Sequence, residues 1–104
     1  MESQSSSRPS PRKTRRAQTD IGENVAAWRK LQGLTAQQVA ERAGISRSTL
    51  SRLEHGRTPV SLEAFLNVAR ALGVLERVVL AVDPYETDVG RLRADERLPQ
   101  RVRP

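Results

Sequence analysis

The chain has 104 residues, enough for one small domain with tails, and its 18 basic and 12 acidic residues give a formal net charge of +6. It contains no cysteine and one histidine, which excludes disulfides, thiolate zinc sites and thiol nucleophiles. The longest apolar run, residues 78–82, is far shorter than the roughly 20 residues of a membrane span, and the N-terminus lacks an apolar signal core. A soluble, cytoplasmic protein is therefore expected.

The positive charge is concentrated in residues 1–19. This segment has five basic residues and one acidic residue, whereas residues 20–84 have eight against seven and residues 85–104 five against four. The segment is rich in Ser, Pro and Arg and has no apolar periodicity, so a disordered basic arm is predicted. A basic arm beside a nearly neutral core suits an anionic polymer, although a merely solubilising tail would have the same composition.

The first predicted helix begins at Asp20, with Glu23 three residues later as its capping partner, and ends at Gly33. Apolar residues recur along it at helical spacing, which indicates one buried stripe. This stripe consists of Ile21, Val25, Trp28 and Leu31.

Two short helices separated by a glycine turn follow. Thr35 and Gln38 have the spacing of a capping box, Gly44 ends the second helix, and Ser46 is a good N-cap for the third, which Gly56 ends. In the third helix one face is apolar and is expected to pack inward, while another is polar and remains exposed. The inward face has Ile45, Leu50 and Leu53, and the polar face has Arg47, Ser48, Ser51 and Arg52.

The fourth predicted helix is capped by Ser61 and ends at Gly73. Its apolar residues again recur at helical spacing. They are Leu62, Phe65, Leu66, Ala69 and Leu72.

Residues 77–84 are predicted to form a dimerisation strand, because the run RVVLAV is apolar, rich in valine and stopped by Asp83 and Pro84. A lone strand needs a partner, so we expect it to pair with its copy in a second subunit. The alternative is a fifth helix packed on the fourth, and either form would favour a homodimer. The strand residues at the dimer contact are Val78, Val79, Leu80 and Val82.

The order of these motifs resembles that of the lambda-repressor-like, Xre/Cro family of helix-turn-helix regulators, over residues 21–82. The resemblance implies a mainly α fold, with four to five helices in residues 20–76 and the strand after them. It also implies that the protein binds operator DNA as a dimer. The matching residues are Arg29, Gly33-Leu34-Thr35, Val39-Ala40, Ala43-Gly44-Ile45-Ser46, Leu50-Ser51-Arg52-Leu53-Glu54, Gly56 and Leu72-Gly73-Val74.

The resemblance places the base-contacting residues at the start of the third helix. Arginine there can donate two hydrogen bonds to guanine, so a guanine in each half-site of an inverted-repeat operator is expected. In the alternative, the arginines are only exposed helix residues, or Arg52 pairs locally with an acid. The residues expected to contact bases are Ser46, Arg47, Ser48 and Arg52.

Contacts to the DNA backbone are implied for helix N-termini, for the loop after the third helix and for the arm. The family commonly has a glutamine directly after the threonine that corresponds to Thr35, and this glutamine grips the DNA backbone and orients a base-contacting residue. This chain has Ala36 at that position, and we do not assign the role to Gln37. The expected backbone residues are Thr35, Gln37, Ser51, Arg57 and Thr58. Arg12, Lys13, Arg15 and Arg16 are expected to contact phosphates or the adjacent minor groove.

Two further residues resemble a structural pair of the family, in which an arginine of the first helix meets a glutamate at the end of the third. Here they are Arg29 and Glu54, and the pair would fix the angle of the third helix. The alternative is two separate surface charges. His55, beside the end of the third helix, is expected to act as a cap or a phosphate contact.

The charged tail, residues 85–104, together with the preceding strand, resembles HipB-like antitoxins, which implies a HipA-type kinase toxin as a possible protein partner. The alternative is a disordered, solvated tail. A protein-interaction module that acts mainly through this tail is the second hypothesis for function. Catalysis is not expected, because the chain has no cysteine, no second histidine for a metal pair, no glycine-rich phosphate loop and no identifiable base to activate its serines. No cofactor, metal or membrane partner is expected, and the protein would be nucleoid-associated when bound to DNA.

Overall fold

A computed structural model describes residues 10–98, which form six α-helices and one 3-10 turn and contain no strand. The chain divides into two compact units, Met1–Leu72 and Gly73–Pro104. Within residues 10–98, no helix is long and apolar enough to cross a membrane. The helices are α1 (Arg12–Leu31), α2 (Ala36–Ala43), α3 (Arg47–His55), α4 (Leu62–Leu72), α5 (Leu75–Ala81) and α6 (Asp88–Arg97), with the 3-10 turn at Pro84–Glu86.

The caps that the sequence predicts for α2 and α3 are present. The amide of Gln38 donates to Thr35 Oγ1 (3.1 Å), and the Thr35 amide donates to Gln38 Oε1 (2.8 Å). Gly44 ends α2 with a φ of 70°, a left-handed conformation that costs glycine little. Ser46 then caps α3 by accepting from the Thr49 amide at 3.0 Å.

The core of the first unit lies where α2, α3 and α4 meet, with α1 packed mainly against α3. Its largest fully buried side chains are Val39, Leu50 and Val68, one from each of the three helices. The predicted apolar face of α4 is only partly correct, because Leu62 is 69% exposed at the start of the helix. The buried residues of α4 are Ala64, Val68, Ala69 and Leu72.

The helix α1 begins at Arg12, and the predicted start at Asp20 is therefore wrong. Residues 12–19 have no proline or glycine after Pro11 and consist largely of good helix formers, so the helix continues towards the N-terminus. Asp20 lies inside the helix and pairs with Arg16 one turn away, at 3.6 Å. Residues 12–19, predicted to belong to a disordered arm, are helical, and residues 1–9 of that arm lie outside the described residues.

The buried face of α1 also differs from the predicted stripe. Gly22 and Val25 are buried, whereas Ile21, Trp28 and Leu31 are 42%, 38% and 78% exposed. The reason is the close approach of two backbones: a Cβ at Gly22 would lie 2.5 Å from the carbonyl oxygen of Glu54 in α3. Because glycine alone permits this distance, α1 turns the Gly22 face towards α3.

In the second unit, the predicted dimerisation strand is wrong, because the residues form the helix α5 and the turn after it. A helix satisfies its backbone hydrogen bonds locally, whereas a lone strand leaves its amides and carbonyls without a ladder partner. Of the predicted dimer-contact residues, Val79, Leu80 and Val82 are 56%, 45% and 83% exposed, and Val78 is half-buried.

Part of the predicted charged tail is also helical. Thr87 caps α6 by accepting from the amide of Gly90 at 2.9 Å, and Asp83 accepts from the amide of Tyr85 at the 3-10 turn. Ala94 is the buried residue of α6. Capping and the burial of Ala94 thus accompany the helical structure of residues 84–97, for which no periodic apolar pattern predicted a helix.

Candidate nucleic-acid interface

The side chains predicted to contact bases lie on the exposed surface of α3. Leu50 and Leu53 are buried beneath them, so the helix is anchored by one face and free on the other. Ile45, predicted to face inward, is half-buried at the turn. The exposed residues are Ser46, Arg47, Ser48, Ser51 and Arg52.

Three of the polar residues along α3 form a hydrogen-bonded group, the Thr49 cluster, which consists of Ser46, Thr49 and Arg52. Ser46 Oγ donates to Thr49 Oγ1 at 2.9 Å, and Arg52 Nη2 donates to the same oxygen at 3.3 Å. Arg52 therefore bonds to a hydroxyl, and among residues 10–98 it forms no ion pair with an acid. Sequence reasoning missed Thr49, although its i, i+3 spacing from both partners could have indicated the contact.

Arg47 contacts α2 through a second set of hydrogen bonds. Its Nη1 donates to Gln37 Oε1 at 3.4 Å, and Gln37 Nε2 donates to Glu41 Oε2 at 2.8 Å. The first of these bonds is long and therefore weak. The structure thus brings Gln37 next to the first residue of α3, while Ala36 has no side chain that could make this contact. Glu41 is a second residue that sequence reasoning missed.

The residues predicted to contact the DNA backbone are exposed, but Thr35 and Ser51, like Gln37, already have hydrogen-bonding partners. Thr35 Oγ1 caps α2, and the carbonyl oxygen of Ser51 lies 2.7 Å from Nδ1 of His55. Arg57 and Thr58 are exposed in the loop between α3 and α4. The four arm residues expected to contact phosphates lie on the exposed first turns of α1: Arg12, Lys13, Arg15 and Arg16.

Arg29 and Glu54 meet in a bidentate ion pair between α1 and α3. Nε and Nη2 of Arg29 donate to the two carboxylate oxygens at 2.8 and 3.0 Å, and Nη1 donates to the carbonyl oxygen of Leu34 at 3.2 Å. The side chains are 15% and 13% exposed. The hydrogen bond to Glu54 raises the pKa of Arg29 and outweighs the opposing effect of burial.

Within residues 10–98, no group of His, Asp and Glu side chains is arranged to hold a metal ion. The geometry is instead that of a binding surface. Two short helices are joined by a left-handed glycine turn, and the second has a buried apolar face and an exposed face with two arginines. This is the helix-turn-helix arrangement, in which the second helix enters the major groove of DNA.

Comparison with known proteins gives the same class. The helix-turn-helix family model matches residues 25–78, which is more than half of the chain. The chain belongs to this family, the Xre or lambda-repressor-like class of DNA-binding transcriptional regulators.

Several curated relatives are similar to the chain. An uncharacterized HTH-type transcriptional regulator, y4dJ, of Sinorhizobium fredii is 39% identical over 70 residues, 67% of this chain and 90% of that protein. A second HTH-type regulator, of Methanothermobacter thermautotrophicus, is 49% identical over 49 residues, 47% of this chain and 71% of that protein. The immunity repressor protein of Bacillus phage phi105 is 43% identical over 54 residues, 52% of this chain but only 38% of the repressor.

No solved structure gives a significant match to the chain. None of the three relatives is named as an antitoxin, so these comparisons do not support the HipB-like part of the resemblance or a HipA-type partner.

Proposed function

We propose that the protein is a repressor that binds an inverted-repeat operator as a homodimer, with α3 of each subunit in the major groove. The observation that carries the proposal is the exposed polar face of α3, which presents Arg47, Ser48 and Arg52 while Leu50 is fully buried beneath it. Two subunits would place these helices in successive major grooves roughly 34 Å apart.

The two arginines are the proposed base-contacting residues. A guanidinium group donates two parallel hydrogen bonds to O6 and N7 of guanine, and each such contact discriminates against other bases by roughly 1–3 kcal/mol. Ser48 adds a hydroxyl beside Arg47. Ser46 is a weaker candidate than the sequence indicated, since its hydroxyl caps α3 and also bonds Thr49.

Phosphate contacts are proposed on both sides of α3. The exposed side chains in these regions are Gln37 in the first turn of α2, Ser51 on α3, and Arg57 and Thr58 in the loop that follows. Thr35 is bonded within its capping box, so its proposed contribution is the positive end of the α2 dipole. The first turns of α1 add a basic helical surface, which replaces the disordered arm in the proposal for residues 12–16.

The dimer is proposed to form through exposed apolar side chains of the second unit. Val79, Leu80 and Val82 lie close together in sequence on α5 and just after it, and α5 has no buried residue. Exposed apolar side chains clustered in this way favour association with a second copy.

The proposal is tested by selecting binding sites from a library of random duplexes at physiological salt. Wild type is compared with Arg47→Ala and with Arg70→Ala, a control that removes the same charge from the exposed side of α4. The expected result is a guanine-containing inverted repeat for wild type and the control, lost or relaxed for Arg47→Ala. An identical preference for Arg47→Ala would contradict the proposed role of this residue.

Failure of wild type to enrich any sequence would instead favour the second candidate, a protein-interaction module. The exposed Val89 and Leu92 of α6 are the observation behind this alternative, because they offer an apolar surface to a partner. A kinase toxin of the HipA type is one such partner. Deletion from Tyr85 onward would then abolish function, whereas the double variant Arg47→Ala, Arg52→Ala would leave it intact.

A further inference from the structure

Arg52 borders two hollows of the first unit. One, of about 240 Å³, is mainly apolar and is lined in part by Ile21, Leu53 and Phe65. The other, of about 450 Å³, is more polar and is lined in part by Ser61 and Asn67. Arg52 lines both, so unfilled space adjoins it in two places. An arginine with this freedom loses rotamer entropy when it is fixed in one orientation.

The hydroxyl of Thr49 restricts this freedom. It accepts from Arg52 Nη2 at 3.3 Å and from Ser46 Oγ at 2.9 Å. Thr49 is half-buried and β-branched, and a β-branched side chain in a helix has few rotamers. The anchor is thus stiffer than the arginine that it holds.

We propose that Thr49 is a positioning residue that orients Arg52 for base recognition and thereby sets part of the sequence specificity. This inference rests on the proposed function, since it assigns a role within the same surface. Thr49 needs no direct contact with DNA for this role. Its hydroxyl acts by restricting the orientations of the guanidinium group on the exposed face of α3.

The test compares Thr49→Val, which has nearly the same shape but lacks the hydroxyl, with Thr49→Ser, which keeps it. Thr49→Val retains the N-cap, because Ser46 accepts from the backbone amide of residue 49. We expect Thr49→Val to relax selection by about tenfold at the base pair that Arg52→Ala also relaxes, within the discrimination that one arginine supplies. Thr49→Ser should keep the wild-type preference, and Thr49→Val should add nothing in an Arg52→Ala background.

A measurement without DNA separates this inference from the proposed function. In ¹⁵N NMR spectra of the full chain, rotation of the Arg52 guanidinium group should be slower in wild type and Thr49→Ser than in Thr49→Val. The NMR measurement could show that the Thr49 hydroxyl slows the rotation of Arg52 even if wild type selects no base sequence. That result would establish the contact but refute the proposed function, and with it the specificity role of Thr49.

Three results would overturn the role of Thr49 directly. The first is an unchanged Arg52 signal in Thr49→Val. The second is a uniform loss of affinity for all sequences, which would indicate a purely structural role. The third is a base preference that Arg52→Ala relaxes but Thr49→Val does not.

Discussion

Arg29 and Glu54 join α1 to the last turn of α3 through two hydrogen bonds of 2.8 and 3.0 Å. The same guanidinium group also donates to the carbonyl oxygen of Leu34, at the turn before α2. One side chain of α1 therefore holds two segments of the helix-turn-helix at once. The pair fixes the direction in which α3 points, and this geometric role is distinct from any net contribution to stability.

Removal of one partner of this pair is expected to be costly. Glu54→Gln leaves the largely buried guanidinium group without its countercharge, which should lower the free energy of unfolding by about 3 kcal/mol. Glu23→Gln, an exposed change of the same kind on α1, should stay within about 0.5 kcal/mol of wild type. Urea unfolding followed by circular dichroism measures both. Equal stability of the two variants would show that the pair is only a surface contact.

The pair should remain intact at alkaline pH. The pKa of Arg29 is raised in the folded state, so its contribution to stability is present below the unfolded-state pKa and is lost only as pH rises through the higher folded-state pKa. The stability difference between wild type and Glu54→Gln should therefore be constant from neutral pH to about pH 10, well below the arginine range. Unfolding curves across this interval test the expectation, and a difference that vanishes before pH 10 would refute it.

Gly22→Ala should destabilise the protein despite the better helix propensity of alanine. The new methyl group would lie 2.5 Å from the carbonyl oxygen of Glu54, so α1 and α3 must separate, at a cost of about 1–3 kcal/mol. Ala27→Gly on the exposed face of α1 is the control. It exchanges the same two residue types away from α3, so the difference in helix propensity alone should lower stability by about 1 kcal/mol. Thermal unfolding measures both changes. A Gly22→Ala variant more stable than wild type would refute the close contact.

The first turns of α1 should contribute to the salt dependence of DNA binding. The double variant Arg12→Gln, Arg15→Gln should flatten the log–log slope of affinity against salt by up to about 0.9 for each lost phosphate contact, with the preferred sequence unchanged. Arg93→Gln with Arg97→Gln, two exposed arginines of α6, is the matched control. Affinities measured across a salt series compare the two, and equal slopes would exclude a role for α1 in phosphate binding.

Leu80→Glu should convert the proposed dimer into a monomer. A charge placed among the exposed apolar side chains of α5 would have to be buried in the interface, which is strongly unfavourable. Leu62→Glu, at a more exposed apolar position at the start of α4, should leave the oligomeric state unchanged. Sedimentation velocity at micromolar concentration distinguishes the two species. A Leu80→Glu dimer would place the interface elsewhere.

Local signals were sufficient to predict the helix-turn-helix. The capping box of Thr35 and Gln38, the turn glycine at residue 44 and the cap at Ser46 act over a few residues, and the structure shows all of them. The start of α1 could not be predicted in this way, because Asp20 and Glu23 have the spacing of a cap but lie inside a longer helix. The helix propensity of residues 12–19 outweighed the capping spacing of Asp20 and Glu23.

The errors in packing have a different cause. Gly22 gives no apolar signal, yet its contact with the backbone of α3 decides which face of α1 is buried. The run at residues 77–82 resembles a strand in composition, but composition does not supply the partner that a strand requires. In the site, resemblance placed Arg29 beside Glu54, whereas the contacts of Thr49 and Glu41 depend on side-chain orientation and emerged only from the structure.

The intrinsic fluorescence of Trp28 in α1 can report on unfolding of the chain. The sequence has one tryptophan and one tyrosine, and these residues fall in different compact units, Trp28 in the first and Tyr85 in the second. Excitation at the red edge of the indole band therefore selects Trp28, without a label. Tyrosine emission from a Trp28→Phe variant reports on Tyr85. Coincident transitions would mean that the two units unfold cooperatively, and separate transitions would mean that each unit melts on its own.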